Sequence, residues 1–164
     1  MGVLHRRTLV RCPLGDATRH FQRFFDESAN GECVRLALRA STRIPPLGTE
    51  IALTRDVVVT LRRASSPSGD AVFEVEWTPA DESAFPRLEG VLEVERDGDA
   101  GCSLVLRGSY EPPAGYAGSA FESAVGHRIA QATARDLLAR IRDYVEQAYA
   151  TGARARARED GHAP

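Results

Sequence analysis

The sequence predicts an α+β domain in which a curved antiparallel sheet of six to seven strands wraps around one long C-terminal helix. The order is strand, helix, five or six strands, helix. Three observations predict it. From about residue 34 to Pro112 the apolar residues alternate with period two, while the segments after Asp16 and after Gly118 switch to helical spacing. The 164 residues are 43% hydrophobic and 27% charged, and a chain of this length buries roughly 70% of its extended surface on folding, enough for one sizeable core. Residues 1–150 are therefore expected to form a single domain, with 151–164 a disordered tail.

Residues 3–12 place Val3, Leu4, Leu9 and Val10 among arginines and stop at Pro13, the mark of an edge strand. From Asp16, a suitable N-cap, the residues Ala17, Phe21, Phe24 and Phe25 recur at helical spacing, and Asn30-Gly31 ends the run. Strict alternation follows. Val34, Leu36 and Leu38 share a face; so do Ile51, Leu53, Val57, Val59 and Leu61; then Phe73, Val75 and Trp77; then Leu88, Leu92 and Val94; and last Leu104, Leu106 and Tyr110. Such alternation describes a sheet with one dry face and one wet face, and Pro- and Gly-rich links of hairpin length join its strands. The glutamates of residues 89–95 point outward as a solvated acidic strip.

After Gly118 the ridge Phe121, Val125, Ile129, Thr133, Leu137, Ile141 and Val145 steps by four to about Tyr149. About 30 residues at 1.5 Å each make a rod of roughly 45 Å. A sheet with one dry face must cover it, and only this helix is long enough to do so.

Composition removes several classes of function. All 21 basic residues are arginine and the net charge is −2, so Schiff-base lysine chemistry and a Walker-type phosphate loop are absent, and nucleic acid is not expected as a partner. No signal-length or membrane-length apolar run occurs, so a cytoplasmic protein without membrane insertion is expected. Cys12, Cys33 and Cys102 fit neither a disulfide framework nor a zinc spacing and read as buried thiols. His5, His20, His127 and His162 are isolated, and no cofactor or metal is implied.

Beyond the element order, the run Trp77-Thr78-Pro79 through Phe85-Pro86 and Leu88-Glu89-Gly90 resembles the START-like, or Bet v 1-like, superfamily of helix-grip proteins (SRPBCC, polyketide cyclase/dehydrase-like). So does Gly108-Ser109-Tyr110-Glu111-Pro112-Pro113, which leads through Gly115 and Gly118 to His127-Arg128-Ile129-Ala130. The likeness covers residues 3 to about 149 and is nearest to a bacterial branch of that superfamily. It implies a hydrophobic small-molecule ligand.

A strongly curved sheet around a helix leaves a wedge. With few aromatics and small residues such as Ala40, Gly90 and Gly108 on the dry faces, an unfilled interior lined by Val, Leu and Ile is expected, suited to a lipid, polyketide-like or aromatic molecule. The candidate ligand-binding residues are Phe73, Val75, Trp77, Leu92, Leu106 and Tyr110 from the sheet, Tyr116 from the 111–118 connection, and Phe121, Val125 and Ile129 from the helix. Arg55 joins them, at an inward parity where a cation meets either a ligand carboxylate or, through a bulge or a position beyond the helix's cover, solvent. The 111–118 connection is a candidate gate over the space, and Glu122, Thr133 and Asp136 are candidate polar groups on the helix. No catalytic constellation is evident; Arg55 or Tyr110 would be the proton-transfer groups of a cyclase, dehydratase or hydrolase on this scaffold. A module that binds a chaperone or ribosomal protein is the alternative from another class, and the sequence permits a homodimer.

Overall fold

The computed structural model describes residues 1–28, 33–44, 49–64, 71–81, 85–111 and 120–160. Along the chain these form β1 (Gly2–Val10), α1 (Leu14–Ser28), β2 (Cys33–Ile44), β3 (Thr49–Ala64), β4 (Ala71–Pro79), β5 (Arg87–Arg96), β6 (Cys102–Glu111) and α2 (Ala120–Asp160). Short links make each strand from β2 to β6 the antiparallel neighbour of the next, and β1 adds to the far side of β6. The result is one six-stranded sheet in the order β1-β6-β5-β4-β3-β2, the helix-grip arrangement expected from the sequence.

Register carries the period-two pattern across the strands. Val59, Trp77, Leu88 and Tyr110 form one inward row, and Leu61, Val75, Gly90, Gly108 and Leu4 the next. The second row is where the concave layer is tightest. A Cβ on Gly90 would lie 2.3 Å from the carbonyl oxygen of Arg107, and one on Gly108 would lie 2.4 Å from that of Glu89. The paired glycines let the two backbones approach, which a sheet needs if it is to curl.

The outward face is not a bare acidic strip. Arg107 holds both Glu93 and Glu95, and Arg7 donates to Ser103 and to Asp97, each at 3.0 Å. Under these stems Ser103 and Val105 are buried, because the aliphatic parts of paired long side chains cover apolar surface while their charged ends stay wet.

Asp16 proves to be a first-turn residue of α1, paired with Arg19 at 3.2 Å, not the cap. The helix begins two residues earlier, and the Pro13 carbonyl accepts from Ala17 N–H at 2.9 Å. Its carboxylate still opposes the positive helix end. Ala17, Phe21, Phe24 and Phe25 are buried, with the Phe21 ring 4.6 Å from that of Phe73 and Phe24 5.2 Å from Tyr144.

In α2 the ridge Ile129, Thr133, Leu137, Ile141 and Val145 is buried as expected, joined by Ala130, Ala134 and Leu138. Thr133 satisfies its hydroxyl on the Ile129 carbonyl at 2.9 Å. The helix continues to Asp160 through residues expected to be a tail. Alanine and arginine are strong helix formers, and Thr151 bonds back to the Gln147 carbonyl at 2.9 Å. At 1.5 Å per residue the helix is about 60 Å long, so its exposed last turns extend past the core.

Candidate functional site

A sheet that curls without closing leaves two edge strands with unpaired backbone groups. Here the edges are β1 and β2, and α2 lies along both. Asp136 accepts from the backbone N–H of Arg39 at 2.9 Å and from Arg140 Nε at 3.0 Å. Arg140 in turn donates to the Ala37 carbonyl at 2.6 Å. Glu146 accepts from the backbone N–H of Arg11, just past β1, at 2.8 Å. Side chains of the helix thus stand in for a missing strand and fasten this part of the seam.

One helical stretch earlier the described residues leave the seam open. A cleft of about 650 Å³ is lined by His5 and Arg6 of β1, Ser41 of β2, and His127, Arg128, Gln131, Ala132 and Arg135 of α2. That volume is in the range of small-molecule sites. The helix residues recur at three- and four-residue spacing, so they share one face. Arg6 has the inward parity of Leu4 and pairs in register with Leu106. Its Nε is buried without a hydrogen-bond partner, as is Gln131 Oε1.

The inner wall of the cleft connects to the core through Tyr110. This ring is 4% exposed and lies against Gly2, where a Cβ would fall 2.2 Å from Cζ. Its hydroxyl is 3.0 Å from His127 Nδ1, and the two ring centroids are 5.7 Å apart. Burial pushes the Tyr110 phenol upward from its usual range, so near neutral pH it keeps its proton and can donate it to an unprotonated Nδ1. A hydrogen-bonded phenol and imidazole at the rim of a ligand-sized cleft can bind a polar group or pass a proton.

The candidates named from the sequence fall in different places. Phe73, Val75, Trp77, Leu92 and Leu106 are all 0–3% exposed within one continuous core, and Trp77 Nε1 donates to the Pro86 carbonyl at 3.0 Å. Instead of an unfilled wedge, the described residues form a packed interior there. The missing volume comes from Phe21, Phe24 and Phe25 of α1 and Phe85 beside β5. Ile129 is nearly buried and Val125 half-buried, both on the part of α2 that carries the cleft. Arg55 is exposed and donates to the neighbouring Thr54 carbonyl at 3.1 Å. The β3–β4 pairing ends at Val57 with Pro79, so Arg55 stands on the arm of the β2–β3 hairpin that β4 does not reach. Tyr116 and residues 112–119 lie outside the described residues, as do the side chains of Phe121 and Glu122.

Arg6, His127, Gln131 and Arg135 were not singled out as ligand residues. Arg6 was hidden by its strand, whose arginines occupy both parities; the inward parity shared with Leu4 and Val10 was the available signal. Cys12 and Cys102 are buried and free, with burial pushing their thiols up to about 12 and about 11, which leaves them unreactive. Among the described residues no cluster of three metal-ligating side chains occurs, and no helix is long and apolar enough to cross a membrane.

The sequence matches no family model and no curated protein. Solved structures do share the architecture. A point mutant of norcoclaurine synthase from Thalictrum flavum, bound to a transition-state analogue, is 12% identical with a TM-score of 0.50, over 89% of this chain and 94% of that one. A conserved protein from Geobacillus kaustophilus is 12% identical with a TM-score of 0.52, over 92% and 96%. At such identity the likeness speaks for the fold. The chain has the helix-grip fold.

Proposed function

We propose that the protein binds a small hydrophobic molecule, a lipid, polyketide-like or aromatic compound, at the open part of the seam between α2 and the sheet edges. The observation that carries this reading is the ligand-sized cleft bounded by His5, Arg6, Ser41 and the 127–135 face of α2, on the helix–sheet boundary of this fold. Ala132 is the apolar residue of its lining, and Ile129 and Val125 lie on the same helix. The norcoclaurine synthase structure, on the same architecture, is a complex with a transition-state analogue. Thermal unfolding against a panel of lipids and aromatic compounds tests the reading. A ligand at one hundred times its Kd adds about 2.7 kcal/mol of stability, so at least one compound class should raise Tm by several degrees. A flat panel, with no small molecule in an organic extract of the purified protein, would count against it.

A cyclase, dehydratase or hydrolase activity is the second reading, and the Tyr110–His127 hydrogen bond favours it. Turnover of a bound compound by the native protein and its loss in His127→Ala would separate catalysis from binding alone.

A further inference from the structure

We infer that the open seam is an oxyanion site: it takes the carboxylate or phosphate group of an amphiphilic ligand, with Arg6 and Arg135 as its principal donors. The inference rests on the cleft reading above and gives that ligand a charge. Among the described residues, five arginines outside the cleft are matched with acids. Arg7 meets Asp97, Arg19 meets Asp16, Arg107 meets Glu93 and Glu95, Arg140 meets Asp136, and Arg142 meets Asp143.

Among the described residues, Arg6 and Arg135 of the cleft have no such acid. Arg6, Arg128 and Arg135 line it together with His5 and His127, and among the described residues no carboxylate does. Two described acids beside the lining residues are already engaged. Glu50 accepts the Ser41 hydroxyl at 2.7 Å, and Asp136 is held by Arg39 N–H and Arg140. Guanidinium groups keep their charge at any physiological pH, so their mutual repulsion in one cleft cannot be relieved by deprotonation. A bound anion relieves it.

Arg6 adds direction to the charge. It occupies an inward position of β1, where a cation without a partner is costly, and its Nε is buried with no acceptor. An oxyanion in the cleft supplies that acceptor and makes the shorter, stronger bonds typical of charged pairs. Facing Arg6 across the seam, Arg128, Gln131 and Arg135 lie on one helix face, with Ala132 beside them for the apolar part of the ligand.

Calorimetric titration of the full chain with decanoate, decanol and inorganic phosphate tests this. Decanoate should bind about tenfold tighter than decanol, the scale of a charged hydrogen bond. Salt should weaken decanoate alone. Arg6→Gln and Arg135→Gln should each erase most of the preference for decanoate over decanol. Arg135 is exposed, so its variant reads out the site even if Arg6→Gln fails to fold; thermal unfolding without ligand checks both. Phosphate that binds the native chain and not the variants also supports the site, with a free anion as the source of the oxyanion. Equal affinity for decanoate and decanol with no phosphate binding overturns the inference while leaving the binding reading intact. A decanoate preference that both variants retain overturns it as well. Failure of all three probes to bind also overturns the inference, while the binding reading falls only with the wider panel of lipids and aromatic compounds.

Discussion

Tyr110 joins the core to the cleft with a single hydroxyl. Removing that group in Tyr110→Phe leaves the ring in place and takes away the 3.0 Å bond to His127. The expected loss is about 1 kcal/mol, read as a lower urea midpoint. Two kinds of buried titratable group bound the pH range of stability. Burial, then the neighbouring Arg23, lowers His20 below its ordinary 6.5, and its Nδ1 is buried without a partner. Its neutral form is therefore favoured by folding, and the stability this contributes is present above 6.5 and lost as pH falls through the lowered value. The thiols act in the opposite sense. Their contribution is full below 9.0 and lost as pH rises toward about 11 for Cys102 and about 12 for Cys12. Urea midpoints measured against pH should show a neutral plateau, and His20→Gln should flatten its acid side. At this scale the sequence marked Tyr110 but not its partner. A histidine 17 residues away in another element has no local spacing to betray it.

Among the elements, α2 does the work of a seventh strand at the seam. Its carboxylates and Arg140 meet backbone groups of Ala37, Arg39 and Arg11. Asp136→Ala removes a charged acceptor from a backbone N–H and from Arg140, with an expected cost of about 1.5–3 kcal/mol in chemical denaturation. Adding Arg140→Ala should cost less than the sum of the two single changes, since they share one network. The β5–β6 ladder makes a second prediction. Gly90→Ala or Gly108→Ala drives a methyl into a backbone carbonyl that cannot rotate away, so a loss of about 1–3 kcal/mol or more is expected from overpacking. The strands and both helices were legible because hydrophobic period reports which side of an element is dry. The seam bonds were not. They join residues 97 to 135 apart, and the Asp136–Arg140 spacing by itself signals only a pair within one helix.

For the molecule as a whole, an open sheet gripping a helix followed from three changes of period, and the sheet order and inward rows agree with it. What fills the wedge did not follow. The aromatics that close the interior come largely from α1, and their reach across to Phe73 depends on how the helix docks, which periodicity does not encode. A ligand-sized space lies at the seam, where β1, β2 and α2 meet. Binding there is the central claim. It is tested most directly by native mass spectrometry of the full chain and of Gln131→Trp, a change that fills the cleft while circular dichroism confirms the fold. The native chain should carry a small-molecule adduct, copurified or added from the panel, and Gln131→Trp should lose it; an adduct kept equally by both, or absent from the native chain under every condition, would contradict the account.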